Sequence, residues 1–103
     1  MQLSIAIYKQ FRICKDFGFK NQIQRAAVSI PSNIAEGYDR QTNKEFIQFL
    51  YIARGSCAEI RTQIHLAIAL NYIENEPGKL LIDKTHKISA MLYNLIKTRK
   101  EYF

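Results

Sequence analysis

Hydrophobic positions recur at helical spacing along this 103-residue chain from one end to the other. In residues 2–17, Leu3, Ile7, Phe11, Cys14 and Phe17 share about a third of a helical wheel that advances 100° per residue. Lys9, Arg12 and Asp16 lie opposite them, and Gly18 is expected to cap the C-terminus of this first helix. The second segment, residues 21–40, places Ile23, Ala27, Ile30, Ile34 and Gly37 on a seam of alternating four- and three-residue steps. Val28, Pro31, Ala35 and Tyr38 widen that side, while Arg25, Ser29, Ser32 and Glu36 form a polar ladder across from it. The third segment, residues 43–74, has Thr42 or Asn43 as its N-cap and Glu45 in its first turn. Phe46, Leu50, Ala53, Cys57, Ile60, Ile64 and Ala67 continue the same alternation without a break. Ile52, Leu66 and Leu70 flank that seam on one side, and Ile47, Tyr51, Ala58 and Ala69 on the other. Asn75-Glu76-Pro77-Gly78 reads as a turn. The fourth segment, residues 78–101, carries Leu81, Thr85, Ile88, Leu92, Leu95 and Tyr102 on one side, with His86, Lys87, Tyr93, Lys97 and Lys100 facing away.

Four amphipathic segments with short connections and no convincing strand predict an all-α fold, a single antiparallel up-and-down four-helix bundle over residues 1–103. The third helix has only Arg54, Glu59 and Arg61 as formal charges between Phe46 and Ile73. A helix apolar nearly all round is buried on more than one side, so self-association into a homo-oligomer is expected.

Pro31 stands inside the second helix, where a proline removes one backbone bond and crowds the carbonyl of Ala27, at a cost of roughly 3 kcal/mol. A kink is expected there, with Ser29, Ser32 and Asn33 satisfying the freed backbone groups. Ala26, Ala27, Ala35 and Gly37 allow a neighbouring helix to approach closely. The stretch AAVSIPSNIAEG thus reads as a packing element more readily than a catalytic one.

Composition narrows the class. A mean hydropathy of −0.20 and a hydrophobic fraction of 48% fit a soluble globular chain. No apolar run approaches the ~18 residues of a membrane span. The start lacks a basic region and a small-residue cleavage site, so no signal peptide is expected. Cys14 and Cys57, isolated among apolar neighbours, read as reduced thiols of a cytoplasmic protein. The net charge of +6 is uneven: residues 1–35 carry +4, residues 36–78 carry −2 and residues 79–103 carry +4. Such asymmetry fits an anionic partner, RNA or DNA first, and fits a merely solubilising lysine-rich face equally well.

The inventory for catalysis is thin. His65 and His86 sit on separate helices from Ser29 and Ser32, and neither serine has a lysine three residues on. Neither histidine has a glutamate three residues before it, as a di-iron bundle requires, and no cofactor or metal motif occurs. Glu36 is the polar residue best placed for chemistry, and an ion pair with Arg25, Arg40, Arg54 or Arg61 is its structural alternative. No enzyme activity is expected.

The residues RAAVSIPSNIAEG (25–37), then KEFIQFLYIARGS (44–56) and Glu59, resemble the signature of the bacterial four-helix-bundle family of 23S rRNA-intervening-sequence proteins. That family is similar to the accessory variability protein of diversity-generating retroelements, a basic pentameric bundle that associates with a reverse transcriptase and nucleic acid. The resemblance implies a homo-oligomer, a pentamer, that is not an enzyme and binds RNA or DNA. Arg25, Ser29, Pro31, Ser32, Asn33, Glu36, Gly37, Arg54 and Arg61 are the residues expected to serve packing and assembly. Lys9, Arg12, Lys15 and Lys20, with Lys87, Tyr93, Lys97 and Lys100 of the fourth helix, are the expected nucleic-acid contacts. The alternative is an adaptor that docks a partner enzyme, such as a reverse transcriptase, and touches no nucleic acid.

Overall fold

The computed structural model describes all 103 residues and holds four α helices: α1 (Gln2–Gln10), α2 (Phe17–Tyr38), α3 (Asn43–Ala69) and α4 (Asn75–Tyr102). Each runs antiparallel to the next, as shown by Ser4 reaching Ala27, Ser29 meeting Ser56 and Arg61 meeting Thr85. α3 packs between α2 and α4, while the nine residues of α1 lie across α2 and α4. The bundle is 45 Å long and α1 spans only nine residues of it, so there are four helices at one end and three at the other. Its core divides accordingly. One cluster joins Leu3, Ile7 and Phe11 to Ile23, Ile30, Ile60 and Ile64, and a second joins Phe46, Leu50 and Ala53 to Leu92 and Ile96.

The heptad seam of α3 is buried along its whole length, and that of α2 is buried at Ile23, Ala27, Ile30 and Gly37. The helix ends differ from the pattern's expectation, each for a local reason. The first helix stops at Gln10, not at residue 17, and Gly18 caps nothing. Instead Asp16 is the N-cap of α2, accepting from the Phe19 N–H at 3.1 Å, so the second helix begins four residues early and Phe17 is exposed. Phe11, the last side chain of the α1 stripe, tucks under the connection against Phe19, ring centroids 5.6 Å apart.

The turn expected at residues 75–78 is also displaced. α3 ends at Ala69, and the reversal falls at residues 70–73, where Asn71 takes a left-handed φ of 61° that asparagine tolerates. Pro77 then sits in the first turn of α4, where no intrahelical N–H is needed. Gly78 is buried there because Ile68 occupies the space of its missing Cβ, 2.6 Å from where that atom would stand. On α4 the buried stripe is Leu81, Thr85, Leu92 and Ile96; Leu95 is only half-buried and Tyr102 is exposed. Of the two candidate N-caps for α3, Thr42 fills the role, accepting from the Glu45 N–H at 3.2 Å and donating to the Glu45 carboxylate at 3.0 Å. Asn43 turns its amide across to the Arg99 carbonyl of α4.

Candidate nucleic-acid interface

The polar residues of the opening motif resolve into separate jobs. Pro31 lies within a continuous α2 and deprives the buried Ala27 carbonyl of its N–H partner. The replacement is not the local one expected of Ser29, Ser32 and Asn33 but comes from α1: the Ser4 hydroxyl donates to the Ala27 carbonyl at 2.7 Å. Asn33 donates to the Ser29 carbonyl and hydroxyl at 2.7 and 2.8 Å, and the Ser29 hydroxyl meets that of Ser56 on α3 at 2.8 Å. Ser32 is exposed and holds no hydrogen bond. Gly37 is a close-approach position, since a Cβ there would lie 2.7 Å from Phe46 Cδ1 and 3.1 Å from Phe49 Cβ.

The charged members also separate. Glu36 pairs with Arg40 one turn on, at 2.6 Å and in solvent, which is the only ion pair in the chain and a weak one by its exposure. Arg25 lines an open hollow with Ser29, Ser56 and Glu59 between α2 and α3. Arg61 crosses from α3 to α4, donating to the Thr85 hydroxyl at 3.1 Å and the Ser89 hydroxyl at 2.9 Å. Thr85 is wholly buried, its own hydroxyl bonded to the Ile82 carbonyl and its carbonyl accepting from the Cys57 thiol. His65 and His86 are exposed, and the Ser29 hydroxyl meets that of Ser56 and the Asn33 amide, not an imidazole.

The eight basic and aromatic positions expected to contact nucleic acid do not form one surface. Lys9 lies in the groove between α1 and α4, while Arg12 and Lys15 stand on the connection to α2. Lys20 is committed to the fold, its ammonium donating to the Arg12 carbonyl at 2.7 Å. These four sit at the four-helix end, because Asp16 of the same connection accepts from the Tyr72 hydroxyl of the α3–α4 connection at 2.7 Å. The Phe19 N–H and that bond hold the Asp16 carboxyl below its ordinary 3.8, and Asp16 in turn raises the Tyr72 phenol above 10.0.

Tyr93, Lys97 and Lys100 come together at the opposite end. They line a notch of about 190 Å³ between α3 and α4 with Tyr51, Arg54 and Glu101, floored by Ile96. The Arg54 guanidinium lies 5.4 Å from the Tyr93 ring centroid, and the Lys100 ammonium lies 5.0 Å from that of Tyr51 while donating to its hydroxyl at 2.6 Å. Lys87 is not on this face: six residues before Tyr93, it projects about 120° around the helix from it. Sequence pattern alone missed Tyr51 and Arg54, which had suggested a packing flank and an ion-pair partner. Only the register between α3 and α4 brings them beside Tyr93 and Lys97.

No group of three or more His, Cys, Asp or Glu side chains is arranged to hold a metal ion, and no helix is long and apolar enough to cross a membrane.

Comparison with known proteins agrees with this architecture. The family model of the 23S rRNA-intervening sequence protein matches residues 1–94. A crystal structure of a protein with unknown function from the S23 ribosomal protein family of Bacteroides thetaiotaomicron superposes with a TM-score of 0.88 at 30% identity, covering 94% of each chain. Among curated proteins no match is found.

Proposed function

Because the chain belongs to the 23S rRNA-intervening sequence protein family, we propose that it is a homo-oligomeric helical scaffold that binds RNA or DNA and catalyses no reaction. The observation that carries this reading is the notch between α3 and α4, where Arg54, Lys97 and Lys100 converge beside two tyrosine rings with Glu101 as the sole acid. None of these three cations has a carboxylate partner, so each is free to neutralise a phosphate and release its counterion. Oligomerisation, to a pentamer on the resemblance of the motif, would repeat the notch around a ring and add avidity. A bend of α2 at Pro31 and a single cytoplasmic domain belong to the same proposal.

The test is a salt series of binding to a structured RNA and a duplex DNA. Lys97→Glu with Lys100→Glu is expected to reduce the slope of log affinity against log salt by about 2, one for each lysine, with the oligomer intact. Lys87→Glu, which lies off this face, is expected to change that slope less. If the wild type retains neither nucleic acid at low salt, the adaptor reading takes its place.

A further inference from the structure

We propose that the notch between α3 and α4 is a subsite for one unpaired nucleotide, with its base against Tyr93 and Tyr51 and its phosphate on Lys97, Lys100 and Arg54. This rests on the nucleic-acid reading above and narrows it to single-stranded segments. Three features of the notch carry it.

The first is size. A hollow of about 190 Å³, about six times the ~30 Å³ share of a liquid water, has room for one planar heterocycle. The second is the pairing of rings with cations. Tyr93 is 52% exposed and Tyr51 43%, so both rings meet solvent that a base can replace. The Arg54 guanidinium is already held 5.4 Å from the Tyr93 centroid, and the Lys100 ammonium is held at the edge of Tyr51, 2.6 Å from its hydroxyl. A base stacking there therefore brings its own phosphate to cations whose positions are fixed in advance, and the buried Ile96 gives the hollow an apolar floor. The third is Glu101. An acid in a phosphate site is adverse unless it meets a donor, and a carboxylate accepts from the amino edge of an unpaired adenine, guanine or cytosine. In a duplex the base faces are stacked on one another, so the tyrosines would gain no partner.

The experiment measures fluorescence anisotropy with labelled oligoadenylate of about 16 nucleotides, as RNA and as DNA, against a duplex of equal length. Tyr93→Leu is expected to weaken oligoadenylate binding about tenfold and duplex binding by much less, with Tyr93→Phe retaining both. Quenching of wild-type tyrosine fluorescence by oligoadenylate and not by duplex checks the same contact without any substitution, should Tyr93→Leu fail to fold. Equal wild-type affinity for single strand and duplex, or undiminished oligoadenylate binding by Tyr93→Leu, overturns the nucleotide subsite and leaves the nucleic-acid reading standing. Absence of wild-type binding to every probe overturns both.

Discussion

Pro31 takes one N–H out of α2, and the carbonyl it leaves without a partner, that of Ala27, is buried among apolar side chains. A buried acceptor stripped of its hydrogen bond costs about 1–3 kcal/mol, so the Ser4 hydroxyl at 2.7 Å ties the only short helix to the bundle where the bundle most needs a donor. Ser4→Ala should lower the unfolding free energy by about that amount in the parent chain, and by much less in a Pro31→Ala background, where residue 31 regains its own N–H. Urea denaturation of the four proteins of this cycle measures it. An equal cost in both backgrounds would mean that Ser4 acts by something other than this carbonyl. Asp16 makes a comparable link at the α1–α2 connection, and its contribution carries a pH signature. Its carboxyl is depressed below 3.8 by the Phe19 N–H and the Tyr72 hydroxyl, so its stabilisation is present above 3.8 and disappears as pH falls through the depressed value. Tyr72, raised above 10.0 by the same bond, contributes below pH 10.0 and loses that contribution on further alkalinisation through its raised value. The melting-temperature difference between wild type and Asp16→Ala should therefore be full at neutral pH and shrink toward zero in acid. A difference unchanged by acid would assign the loss to packing.

Among the elements, α2 and α3 approach closely at Gly37, where a Cβ would stand 2.7 Å from Phe46 Cδ1. Gly37→Leu is expected to cost on the order of 1–3 kcal/mol through overpacking, with Ser32→Ala, which removes an exposed hydroxyl, within about 0.5 kcal/mol of wild type. Denaturant midpoints rank the two, and a silent Gly37→Leu would return the motif's polar residues to consideration for chemistry. The helices themselves were legible in the sequence because burial follows the heptad steps of Phe46 to Ala67 and of Ile23 to Gly37. Their ends were less legible because one residue type serves opposite ends. Gly18 looks like a terminator but lies in a first turn fixed by Asp16, and Gly78 looks like part of a turn but is a helical residue making room for Ile68. On α4, Leu95 and Ile96 are equally apolar, and only the packing against α3 selects Ile96 for the core. The site was half legible for the same reason. Tyr93, Lys97 and Lys100 share a helical face that spacing reveals, whereas Tyr51 and Arg54 join them through a register between α3 and α4 that no local pattern encodes.

For the whole molecule, the charges of α3 are already spoken for on the α4 side: Arg61 bonds Thr85 and Ser89, and Arg54 covers Tyr93. Of the formal charges between Phe46 and Ile73, that leaves Glu59 for the rest of the helix. Ile52, Leu66 and Leu70 stand 51%, 49% and 47% exposed on that side, and the position where Gly55 would carry a Cβ is open space. A helix face this poor in charge and this smooth at Gly55 lets a second backbone come near, which is the physical case for assembly through α3. Wild-type protein at micromolar concentration should sediment as a multiple of its 12.0 kDa chain, five-fold if the ring is a pentamer. Ile52→Asp with Leu66→Asp should return it to 12.0 kDa without loss of helix, since both side chains lie outside the two core clusters. The same variant separates assembly from binding. If a ring of notches acts by effective concentration, the dissociated chain should lose affinity for a long RNA while keeping that for a short oligonucleotide that fills one notch. A wild type that sediments only as a monomer would remove the ring, and with it the avidity, but would leave the notch of each chain to be judged by the short oligonucleotide alone.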